Sequence, residues 1–185
     1  MKAYCRDLGL MDYKACWDLQ QELFDTHVAR KRAERDAGGS TVFPAGDSAE
    51  EHSATDDDPV GTVLLVEHPP VYTLGKSGHA ENLLIPREML ERMGARFYHI
   101  DRGGDITFHG PGQLVCYPIL DLERLGIGLR AYIAALEEAV IRTVARQGIE
   151  AGRIDGASGV WLGKGVTPGG KGPVRKICAI GVRSS

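Results

Sequence analysis

Apolar positions change their spacing several times along this chain, and each change marks an element. Residues 4–10 alternate as a short strand does. From Asp12 the apolar residues Tyr13, Cys16, Trp17, Leu23, Phe24 and Val28 recur at helical spacing, with Asp12 placed to cap the first turn. This helix is expected to fray through residues 30–36. Residues 61–67 form an apolar run of strand length, the pattern of a central strand. Pro69-Pro70 interrupts it, and residues 71–74 continue in extended form. Pro86 opens a short helix as its first residue and Gly94 closes it. Residues 95–100 and 113–119 read as strands. The longest clear helix is 129–146, with Leu129, Ile133, Leu136, Val140 and Val144 on one face and Gly148 after its end. Residues 159–162 and 175–183 supply the last strands, around a loop rich in glycine, proline and lysine. Strands and helices follow in mixed order, without regular strand–helix–strand alternation. That order predicts an α+β fold: a mixed or antiparallel sheet with packed helices.

Composition adds little until residue 37. Residues 37–58 are glycine, serine, alanine and acids, ending in Asp56-Asp57-Asp58, and read as a flexible insertion. Deleting residues 29–59 is expected to be nearly neutral for stability. At 185 residues the expected count is a single domain spanning 1–185. A net charge of -3 gives no electrostatic reason to expect nucleic acid. No apolar run approaches the ~20 residues of a membrane span, and the first residues lack the apolar core of a secretion signal. The four cysteines show no paired spacing, which suits reduced thiols in a cytoplasm. The histidines show no ligand spacing, so no metal is expected. Residues 165–171 fit the opening of a phosphate loop. Gly172 stands where a hydroxyl should meet magnesium, and Pro173 precedes a strand where a helix is required. No nucleotide site or cofactor is expected.

The run from Arg102 to Tyr117 carries the most chemistry. It holds a cation (Arg102), two permissive glycines (Gly103, Gly104), a hydroxyl (Thr107) and an imidazole (His109). Gly110-Pro111-Gly112 then turns the chain into the next strand. From residue types alone, this is either the floor of a small-molecule site or a glycine-rich hairpin with a structural histidine. Lys176 is the second candidate. If residues 175–183 form a regular strand, Lys176, Cys178, Ile180 and Val182 share one face. Burial of that face would desolvate the ammonium and lower its pKa, suiting it to proton transfer near neutral pH.

The same run resembles the signature of the octanoyltransferases of lipoate biosynthesis, also known as lipoate-protein ligase B. The resemblance rests on Arg-Gly-Gly, two variable residues, Thr, an aromatic, His, Gly-Pro-Gly-Gln and a later Tyr. Val66-Glu-His-Pro-Pro-Val-Tyr-Thr-Leu-Gly75, Gly78-His-Ala-Glu-Asn-Leu-Leu84, Gly159-Val-Trp161 and Lys176-Ile-Cys-Ala-Ile-Gly181 agree with it. The resemblance implies a biotin/lipoyl protein ligase-like domain that moves an octanoyl group from octanoyl-acyl carrier protein to a cysteine thioester. The group then passes to a lysine on lipoyl domains of 2-oxoacid dehydrogenases or on the glycine cleavage H protein. It implies acyl-substrate contacts from Arg102, Gly103, Gly104, Asp105, Ile106, Thr107, Phe108 and His109, with a role for Phe108 in the core alone left open. A second contacting segment would be Ala179, Ile180 and Gly181. Lys176 matches the lysine that tunes the catalytic cysteine.

The resemblance stops short at the nucleophile. Relatives carry it in a Pro-Cys-Gly-like stretch beyond the lysine strand, and no such stretch occurs here. Cys178 and Cys116 read as packing residues. The chain is therefore expected to be an N-terminal portion of the enzyme. Two rivals stay open: an ATP-dependent lipoate or biotin ligase of the same fold, and a catalytically dead module that binds acyl groups or lipoyl domains.

Overall fold

The computed structural model describes residues 1–38 and 59–183. The insertion expected at 37–58 lies outside them, apart from its first two residues. The described backbone divides into two compact units, one of residues 1–100 with 105–121 and one of residues 101–104 with 122–185. No helix among the described residues is long and apolar enough to cross a membrane.

In chain order the first unit contains β1 (Tyr4–Leu10), α1 (Tyr13–Gly38), β2 (Gly61–Glu67) and β3 (Val71–Leu74). A 3-10 turn at Ala80–Asn82, α2 (Arg87–Arg92), β4 (Arg96–His99), β5 (Ile106–His109) and β6 (Val115–Leu120) follow. One mixed sheet has the order β1-β2-β6, with β1 parallel and β6 antiparallel to β2. A second has the order β4-β3-β5, again with one parallel and one antiparallel neighbour. The expected α+β class and the central place of β2 are what the structure has. Leu64 and Val66 point into the core and are almost wholly buried. Gly61 is required where β6 crosses, because an added Cβ would collide with the Ile119 carbonyl.

Asp12 caps α1 as expected: its Oδ1 accepts the Lys14 and Ala15 backbone N–H groups at 3.0 and 3.3 Å. The far end differs from expectation. The helix runs unbroken through 30–36 to Gly38. Arg30 and Glu34 pair one turn apart, and Lys31 Nζ lies 3.1 Å from Asp121, whose side chain is 2 % exposed. Lys31 therefore ties this stretch of α1 to the first unit, and deleting 29–59 would remove its ammonium from a buried carboxylate. Pro86 proves to be the N-cap of α2 with ψ 144°, not its first helical residue. Gly94, at φ +69°, ends it in the left-handed conformation expected.

The second unit contains α3 (Leu129–Ala145) and an antiparallel sheet of β7 (Gly152–Ile154), β8 (Ala157–Leu162) and β9 (Arg175–Cys178), with β8 central. Glu137 ties helix to sheet. It is buried, its Oε1 accepting the Gly159 N–H at 2.9 Å and its Oε2 accepting Arg153 Nε at 3.0 Å. Residues 165–171 lead into β9 and open no helix.

Candidate active site

β5 sets the geometry of the first unit. It pairs with β3 so that His109 lies opposite Val71, Phe108 opposite Tyr72 and Thr107 opposite Thr73. Cross-strand partners share a face, and successive residues alternate. His109 thus joins Val71 on the face covered by Tyr13 of α1. The Tyr13 and His109 rings stack with centroids 6.2 Å apart. Phe108 takes the other face, where it meets Tyr72 at 4.9 Å and remains 46 % exposed. It is not a core residue.

The turn after β5 is built as its sequence suggests. Gln113 N–H donates to the Gly110 carbonyl at 3.1 Å, and Gly112 takes φ +84° behind Pro111, a type II turn that needs glycine there. Glu67 Oε2 accepts the Gly112 N–H, and the Gln113 side-chain oxygen accepts His109 Nδ1–H at 2.6 Å.

His68 was quoted in the sequence motifs but given no role, and the structure makes it the centre of this region. It is 0 % exposed. Nδ1 lies 2.8 Å from the Met11 carbonyl oxygen, which can only accept, so Nδ1 carries hydrogen. Nε2 lies 3.1 Å from the Tyr117 hydroxyl. Tyr13 meets His68 edge-on at 5.2 Å, and the His68 and His109 rings lie 6.0 Å apart. A histidine followed by two prolines was the available signal. Its partners are 57 and 49 residues away in sequence, beyond any local pattern.

Asp105 acts at the other end of β5. Its carboxylate accepts the His79 N–H at 3.1 Å and the Asn82 side-chain amide, pinning residues 78–82. Shielding from water raises its pKa. Hydrogen bonds from Ile106, His79 and Asn82, with the charge of His79, outweigh that and hold the carboxyl below its ordinary value.

The expected substrate stretch is divided between the units at Gly104 and Asp105. Within the second unit Arg102, Gly103 and Gly181 come together. A Cβ added at Gly181 would sit 3.2 Å from the Gly103 carbonyl oxygen and 3.3 Å from Arg102 Cδ. Arg102 Nη1 donates to the Gly103 carbonyl at 2.9 Å, and Arg183 pairs with Asp101 at 3.2 Å. A hollow of about 500 Å³ is lined by Leu129, Arg130, Ile133, Ala134 and Glu137, none of them an expected substrate contact.

Lys176 departs from expectation in two ways. β9 ends at Cys178 and does not continue to 183, and Lys176 is exposed. The strand is also irregular: Trp161 pairs with Lys176 while the adjacent Val160 pairs with Cys178. Two residues of β9 advance against one of β8, a bulge at Ile177. Lys176 therefore shares a face with Trp161, and Cys178 shares the opposite face with buried Val160. The ammonium sits over the Trp161 ring, 4.4 Å from its centroid.

Each cysteine has its own surroundings. Cys16 is buried, and burial pushes its thiol up against an opposing hydrogen bond from Gln20. Cys5 and Cys116 are exposed, so Cys116 is not the packing residue expected. Burial also raises the Cys178 thiol, Lys176 pulling it down and Glu137 pushing it further up.

Residues 12–185 match the family model of the lipoyl protein ligase A/B catalytic domain. The octanoyltransferase of Bacteroides fragilis is 48% identical over 185 residues, covering 100% of this chain and 72% of the relative. The chain belongs to the octanoyltransferase family. The Flavobacterium johnsoniae octanoyltransferase is 47% identical over 188 residues, covering 100% of this chain and 70% of its own length. That of Bacteroides thetaiotaomicron is 48% identical, again over the whole chain and 70% of the relative. Family membership brings the expected enzyme class, an acyltransferase, and makes the lipoyl-ligase-like fold of the sequence reading its established one.

Proposed function

We propose that the protein transfers an octanoyl group from octanoyl-acyl carrier protein to a lysine of lipoyl domains, including those of 2-oxoacid dehydrogenases and the glycine cleavage H protein, in the cytoplasm. The support that carries this reading is the 47–48% identity to octanoyltransferases along the whole chain. A cysteine thiolate would attack the carrier thioester, expelling the carrier thiol with a proton. The acceptor amine would then displace the cysteine, leaving an amide and losing one proton. Two acyl exchanges replace one difficult step, and the thioester supplies the driving force without ATP. Lys176 is the residue assigned to move protons in both halves.

None of Cys5, Cys16, Cys116 and Cys178 is assigned as nucleophile. Cys178 comes nearest in sequence to Lys176, but burial favours its protonated thiol and the bulge sends it to the opposite face. Arg102, Gly103 and Gly104 with Ala179, Ile180 and Gly181 are assigned to the acyl substrate. Asp105, Ile106, Thr107, Phe108 and His109 complete that assignment, Asp105 through the segment it pins.

The test uses the full-length gene product, a lipoyl domain and two donors: octanoyl carrier protein without ATP, and free octanoate with ATP. Modification is expected with the carrier donor alone. Modification only with ATP would make the protein a ligase, and none with either donor would leave a binding module.

A further inference from the structure

Gly159 and Trp161 belong to a motif to which the reading above gives no task, and they line the path of the Lys176 side chain. Gly159 takes φ +109°, and a Cβ there would collide with the Cys178 carbonyl and sit 3.4 Å from Lys176 Cε. The Cys178 carbonyl is what requires glycine here, and the lysine stem passes beside it at ordinary contact distance. Glu137 holds this glycine from the other side through its N–H. Trp161 is fixed in turn, its indole N–H donating to the Ala157 carbonyl at 3.4 Å. The bulge at Ile177 parts the lysine from Cys178; in an unbulged strand the two would share a face.

We propose that Trp161 is a positioning residue for octanoyl transfer: its ring face, 4.4 Å from the ammonium, fixes where Lys176 Nζ stands. The inference rests on the proposed proton-transfer role of Lys176. A freely rotating lysine at an exposed strand end would sample many rotamers, and proton transfer requires one of them. A ring face attracts the ammonium without donating or accepting a proton, so it orients the group without competing for it.

NMR of the unmutated protein should show the Lys176 ε-methylene protons shifted upfield by the indole, and unshifted protons would overturn the proposal outright. Trp161→Leu should abolish that shift and lower kcat for transfer by about three- to tenfold, with KM for octanoyl carrier protein unchanged. Trp161→Phe, which keeps a ring, should restore most of both. In a Lys176→Ala background Trp161→Leu should add nothing. An equal further loss there, or an unchanged kcat in the single variant, would remove Trp161 from the mechanism while leaving Lys176 in it. If Lys176→Ala alone transfers at the normal rate, the assignment of the lysine is what fails.

Discussion

His68 and Lys176 are held by opposite means. The histidine is shut away from solvent, with a carbonyl on one ring nitrogen, a hydroxyl on the other and Tyr13 against its ring. The lysine stands on an exposed strand, its ammonium over a ring face. A buried polar group with both partners in place is costly to disturb, because whatever replaces it leaves those partners unpaired. An exposed cation over a ring is cheap to remove from the fold, and whatever it is worth must appear in chemistry. Substitution of His68 should accordingly show as stability, and substitution of Lys176 as rate.

The widest separation is expected from Lys176→Ala. Transfer should fall by about 10²- to 10⁴-fold, the usual contribution of a positioned acid–base group, while the melting temperature stays within about 2 °C of the parent. Steady-state transfer and a thermal melt on the same preparation check both halves. A large loss of stability would mean that the lysine carries the fold, and the contrast with His68 would be gone.

His68→Ala should do the reverse. It removes a fully buried ring and the hydrogen bond to the Met11 carbonyl, a cost of about 2–4 kcal/mol. That corresponds to roughly 5–15 °C in melting temperature for a chain of this size. An unchanged melt would show that the aromatic cluster is packing without consequence.

Lys31→Met sharpens the comparison inside the first unit. Asp121 is as secluded as His68, but its cation reaches in from a stem that is 29 % exposed. Water relieves part of the loss, so about 1–2 kcal/mol is expected in denaturant unfolding. A neutral result would return residues 29–38 to the dispensable segment they seemed to be.

Much of this was legible in the sequence because it is local. β1, β2 and β3 have the bounds that apolar runs and Pro69-Pro70 suggested, and Asp12 caps the helix its side chain was suited to cap. The failures share one cause: they depend on what lies across space. Lys31, in the stretch expected to fray, meets Asp121 across space. β5 is a strand only because β3 lies beside it. The alternation that placed Lys176 with Cys178 assumed a regular strand, and one extra residue against β8 reversed it. The glycines of the candidate site were visible as glycines. That Gly181 meets Gly103, and that Gly159 makes room for the Cys178 carbonyl, could be seen only in three dimensions.

Asp105 gives the smallest effect and bears on the boundary of the comparison, since it is exposed like Lys176 but fixed like His68. Its carboxyl lies below its ordinary value because the ionised form collects hydrogen bonds that exist only in the folded chain. The support it gives is therefore present above the unfolded aspartate pKa, about 3.9, and is lost as pH falls through the lower folded value. Because the carboxylate is open to water, the consequence should be local. The His79 amide resonance is expected to titrate with a midpoint below that of an ordinary aspartate. Asp105→Asn keeps an acceptor for one donor but faces the Asn82 amide with a second NH₂ group. Amide exchange across residues 78–82 should quicken at neutral pH while global unfolding barely moves. If the His79 resonance instead titrates at or above the ordinary value, the carboxylate does not hold that segment, and exposure alone would decide which residues of this protein are fixed.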